Sequence, residues 1–91
     1  VTIRVTTAAL ERFKKEWGYN AGDRIRIYVR YSGGGDDAFS FGITRDTPQY
    51  PGVAVTAGDI FFFMEQSDMW YLDNRDLTLD LDDDQIVFLR G

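Results

Sequence analysis

The chain has 91 residues with no cysteine and no histidine, enough for one domain with a modest core. Disulfides, zinc fingers, thiolate-bound clusters, cysteine nucleophiles and a Ser-His-Asp triad are all excluded on chemical grounds. The net charge of −5 disfavours nucleic acid, and it is unevenly spread: residues 1–34 carry seven bases against three acids, residues 59–84 nine acids against one base.

Thr2 to Val5 has the pattern of a short strand. Thr6 or Thr7 is then a helix N-cap, because its hydroxyl accepts from a free N–H of the first turn. Leu10, Phe13 and Trp17 recur at helical spacing, Glu11, Arg12, Lys14, Lys15 and Glu16 fill the other face, and Gly18 stops the helix. From Arg24 the period drops to two: Ile25, Ile27, Val29 and Tyr31 face one way, Arg24, Arg26, Tyr28 and Arg30 the other. Gly33 to Gly35 break this strand, and Ala38 to Thr44 resumes it. Residues 45–52, with two prolines and a glycine, are expected to be a loop.

Val53 and Val55 begin another strand, which Ala57-Gly58-Asp59 turns back into Ile60–Met64 as a hairpin. Phe61, Phe62 and Phe63 are consecutive, so both faces of that strand need cover, from its own domain or from another subunit. Glu65 to Trp70 reads as a short helical turn. Leu77, Leu79 and Leu81 then alternate with Thr78, Asp80 and Asp82, Asp82 to Asp84 forms a turn, and Ile86 to Leu89 is a terminal strand. The pattern predicts an α+β fold over residues 1–91 as a single domain. It would be a strongly twisted, mostly antiparallel β-sheet or sandwich with one main N-terminal helix and a short second helical turn. No apolar run reaches the roughly 20 residues of a membrane helix, and Val1-Thr2-Ile3-Arg4 does not open a signal peptide. A cytoplasmic protein without membrane association is expected.

Few residues suggest chemistry. The glycine turn offers backbone N–H groups to an anion, but Asp36 and Asp37 beside it repel phosphate, so a structural turn is the better reading. Asp36 and Asp37 are oxygen ligands suited to a hard cation, yet adjacent loop acids are ordinarily only solvated. Asp80 to Asp84 lacks the glycine and the glutamate of a calcium loop, since Gln85 and Gly91 stand in those places. Glu65, Asp76 and Asp80 are carboxylates without an accompanying histidine or thiol, and a Ser–Lys pair would have to use the exposed Lys14 or Lys15. Arg24, Arg26 and Arg30 are expected to pair with Asp76, Asp80 and Asp82. Trp17, Trp70, Tyr71 and the phenylalanine run are expected in the core, with a partner surface indicated if Phe62 is exposed.

Five segments in order carry a resemblance: Val5-Thr-Thr-Ala-Ala-Leu10, Gly22-Asp-Arg-Ile-Arg-Ile27, Ser32-Gly-Gly-Gly35 with Ala38-Phe39, Gly52-Val-Ala-Val55 with Gly58-Asp-Ile60, and Tyr71-Leu-Asp-Asn74 with Leu77-Thr-Leu-Asp80. Together they resemble the HesB/IscA-like (A-type iron–sulfur carrier) family, in a cysteine-less branch of small bacterial proteins. That family's turn cysteine corresponds to Gly34, and its final Cys-Gly-Cys pair has no counterpart before Gly91. The resemblance therefore implies the fold but no catalytic, metal-binding or cofactor-binding residue and no cofactor.

The expected function is a non-catalytic HesB-like accessory in iron–sulfur cluster biosynthesis, unable to ligate a cluster through cysteine, with iron–sulfur assembly proteins as partners. The alternative is a protein–protein or small-ligand interaction module that retains only the fold. Homo-oligomerisation is compatible with either.

Overall fold

The computed structural model describes residues 1–31, 33 and 38–91. The expectations placed on Gly34, Gly35, Asp36 and Asp37 lie outside the described residues. Strand β1 (Ile3–Val5) leads into helix α1 (Thr7–Lys15). Thr6 is the N-cap, its hydroxyl accepting from Ala9 N–H at 3.2 Å. The helix ends at Lys15, two residues before Trp17, and Gly18 (φ +72°) turns the chain so that Tyr19 N–H returns to Phe13 O at 3.0 Å.

Strands β2 (Arg24–Tyr31), β3 (Phe39–Arg45), β4 (Pro51–Ala57) and β5 (Ile60–Glu65) form one sheet in the order β3-β2-β5-β4. A 3₁₀ helix (Gln66–Leu72) follows and lies against β2, β4 and β5. Strands β6 (Leu77–Asp82) and β7 (Gln85–Arg90) complete a second sheet in the order β1-β6-β7. The fold is α+β, as expected, but its strands divide into two mixed sheets. The β2–β3, β4–β5 and β6–β7 pairs are antiparallel, and the β1–β6 and β2–β5 pairs are parallel.

The predicted loop gives way at its end, where Pro51 and Gly52 open β4. Pro51 is tolerated there because the first residue of a strand need not donate to the ladder, and the register shifts between Pro51 and Val53. The hairpin expected at Ala57-Gly58-Asp59 forms, with Ala57 paired to Ile60 and the turn made by Gly58 and Asp59, both at positive φ.

The core lies between the sheets and α1. Phe13 meets Phe62 with ring centroids 5.5 Å apart, beside buried Ile25, Ile27, Leu77 and Leu79. Each such side chain contributes about 1.5–3 kcal/mol by leaving water. Phe62 and Phe63 are both fully buried although they point to opposite faces of β5. Phe62 and Phe63 are thus covered within the chain and offer no partner surface, while Phe61 beside them is half-buried.

Candidate functional site

Strand β3 is an edge of its sheet, and β7 is an edge of the other. The 3.1 Å bond from Asp46 N–H to Arg24 O fixes the β2–β3 alternation. Given the register Arg26↔Thr44, Tyr28↔Gly42 and Arg30↔Ser40, those pairs exchange hydrogen bonds, and the backbone groups of Phe39, Phe41 and Ile43 turn outward. The Tyr71 hydroxyl donates to Phe39 O at 2.9 Å, occupying one of these outward groups.

Aromatic rings line this edge. Tyr31, Phe39 and Trp70 are 69%, 37% and 57% exposed, yet they touch: Phe39 lies 5.6 Å from Tyr31 and 5.2 Å from Trp70, both edge-on. Tyr71 continues the run, 5.0 Å from Phe41, and Phe41 stacks on Phe88 of β7 at 5.0 Å. Arg90 closes over the Tyr71 ring at 4.6 Å and donates to Tyr71 O. The rings therefore run from a solvent-facing end at Trp70 to a half-buried end between the two sheets.

Beyond that end is a cleft of about 480 Å³ between the β3 edge, β7 and the last turn of α1. Its walls include Trp17, Tyr28, Phe41, Ile86 and Phe88. The Tyr28 ring lies across Gly42, and a Cβ there would sit 2.7 Å from the Tyr28 hydroxyl oxygen, so the ring would have to shift to admit a side chain. At one rim Arg12 bonds Glu16 at 2.9 Å and Asp84 at 3.1 Å. These contacts, that with Glu16 first, hold its guanidinium more firmly protonated. Arg30 also lines the cleft, and the hydrogen bond its side chain makes among the described residues is to the Ser40 hydroxyl, at 3.4 Å.

The other sequence candidates are structural. Arg26 pairs with Asp68 at 3.1 Å and Asp46 at 3.4 Å, so the expected pairing of the arginine stripe with Asp76, Asp80 and Asp82 does not form. The reason is topological: β2 and β6 belong to different sheets. Asp80 accepts from the Leu81 N–H and the Thr6 hydroxyl, which, in that order, hold its carboxyl below the usual aspartate range. Asp76 takes the Thr2 N–H, and the buried Glu65 accepts from Gln49 N–H and Tyr50 N–H at 3.1 and 2.9 Å. The three carboxylates thus serve separate backbone segments, and no group of three potential metal ligands occurs among the described residues. Trp17 and Trp70, expected in the core, are 40% and 57% exposed. The signal for this edge was the placement of Tyr31 and Phe39 on either side of the glycine-rich sequence Gly33-Gly-Gly35, with Trp70-Tyr71 elsewhere in the chain.

No family model matches the chain, and no solved structure matches it. A Bacillus subtilis (strain 168) protein named pyruvate dehydrogenase inhibitor is 38% identical over 86 residues, which is 92% of this chain and 90% of that protein. This finding overturns the HesB/IscA resemblance and, with it, the iron–sulfur biosynthesis role and the iron–sulfur assembly partners. Among the described residues, the resembling segments are strand ends, the start of α1 and a hairpin turn, elements that many folds share. The non-catalytic reading stands, since the relative is named as an inhibitor of an enzyme. At this identity across nearly its whole length, the chain belongs to the family of the Bacillus subtilis pyruvate dehydrogenase inhibitor.

Proposed function

We propose that this protein is a non-catalytic regulator that binds pyruvate dehydrogenase and lowers its activity, acting in the cytoplasm as one domain. The observation that carries the reading is the near-full-length likeness to a protein named for that inhibition. The interaction-module alternative is the form of function that fits it. The exposed Tyr31–Phe39–Trp70 run supplies the contact surface, because contiguous solvent-facing aromatics mark interaction sites and Trp and Tyr anchor interfaces. Inhibition by this chain does not run through a disulfide, as it brings no thiol to the encounter.

The test is to add purified protein to purified pyruvate dehydrogenase and follow turnover together with co-elution. A saturable loss of turnover accompanied by a complex supports the reading. Unchanged turnover and separate elution at micromolar concentrations of both proteins overturn it.

A further inference from the structure

Resting on that proposed function, we infer that the partner is engaged by strand addition: an extended segment of pyruvate dehydrogenase pairs with the open edge of β3 and places a carboxylate against Arg30. Three observations converge on this edge. First, Phe41 and Ile43 direct their N–H and C=O groups away from β2, and among the described residues neither backbone has a hydrogen-bond partner on that side. Unpaired edge groups are a template for another strand, and main-chain bonds then supply affinity.

Second, the space beside the edge is already open. The cleft of about 480 Å³ reaches β3 at Phe41, Gly42 and Ile43, so side chains of an added strand have a recess to enter. Its walls at Trp17, Tyr28 and Phe88 are aromatic, which suits an apolar residue at alternate positions of the incoming segment.

Third, charge selects the segment. The Arg12 guanidinium is paired with Glu16 and Asp84, whereas Arg30, in the same cleft, has no carboxylate partner among the described residues. A segment that alternates apolar residues with at least one acid satisfies both the walls and this cation. A second copy of this chain satisfies Arg30 less well, because β3 brings Arg45 and no acid of its own to an edge-to-edge pairing.

Amide hydrogen exchange on the intact protein, alone and with pyruvate dehydrogenase, tests the inference. In the complex, the Phe41 and Ile43 amides should exchange at least about tenfold more slowly, while those of the opposite edge strand β4 keep their rates. A complex that forms with unchanged exchange over residues 39–45 overturns strand addition and leaves the inhibitor reading intact. No complex at all removes both. Slowing that appears in the protein alone and grows with its concentration assigns the edge to a second copy and also overturns the inference. As a second arm, Arg30→Glu touches only a 3.4 Å contact with Ser40, so the fold is retained. It should weaken the complex by about tenfold or more at low salt, and an unchanged affinity contradicts the role of Arg30.

Discussion

Phe41 in β3 stacks on Phe88 in β7 with ring centroids 5.0 Å apart and planes 23° from parallel, joining the free edges of the two sheets. Both rings are partly buried against the common core. Either ring replaced by alanine should cost about 1–3 kcal/mol, below the range for a fully buried phenylalanine. The double variant should then fall short of additivity by about 0.5–1.5 kcal/mol, the coupling of an aromatic pair. Urea unfolding of the four proteins measures both quantities, and strict additivity would show that the rings do not support one another.

Tyr28 and Gly42 are cross-strand partners in close approach. Gly42→Ala should destabilise by about 1–3 kcal/mol through overpacking. The loss should largely disappear in a Tyr28→Ala background, where the added methyl has room. An equal loss in both backgrounds would indicate a backbone effect at Gly42 and not the ring.

Glu65 anchors the segment before β4 by accepting two backbone N–H groups while itself buried. Glu65→Ala leaves both donors unsatisfied and should cost about 2–4 kcal/mol, whereas Glu65→Gln keeps one acceptor and should cost less. Thermal unfolding of both variants gives the order, and equal losses would contradict it.

Two half-buried carboxyls contribute to the acid limb of stability. Asp80 is held below the ordinary aspartate value by the Leu81 N–H and then Thr6, and Asp23 by the Asn20 N–H and then Arg45. A carboxyl whose folded pKa is depressed contributes stability above its unfolded value and loses it as pH falls through the folded value. Stability should therefore decline below about pH 4 and be insensitive to these groups above about pH 5. The double variant Asp23→Asn/Asp80→Asn should show a shallower decline between those limits and below, and an identical acid limb would remove these groups from the account.

The local elements were legible because their signals are local. The threonine cap, the alternation from Ile25 to Val29 and the Gly58-Asp59 turn each act over a few residues, and all three stand in the structure. Long-range placement was not legible. The arginine stripe of β2 and the aspartates of β6 alternate in sequence as though matched, but nothing in the alternation says that the two strands lie in different sheets. The consecutive phenylalanines announced a doubly covered strand correctly, without revealing that the cover is the chain's own. The aromatic edge was hidden for the same reason: Phe39 and Trp70 meet only once β3 and the 3₁₀ helix are brought together. The resemblance to an iron–sulfur carrier came from short segments that pattern secondary structure, which report architecture and say nothing of a ligand.

The measurement that bears most directly on the central claim is a titration of pyruvate dehydrogenase turnover with the wild-type protein and with Trp70→Ala. Trp70 is 57% exposed and its ring sits at the outer end of the aromatic run, so its loss should change folding stability by less than about 1 kcal/mol. The account predicts saturable inhibition by the wild-type protein and at least about a tenfold higher concentration for the same inhibition by the variant. Wild-type protein that leaves turnover unchanged, or a folded variant that inhibits equally well, would contradict it.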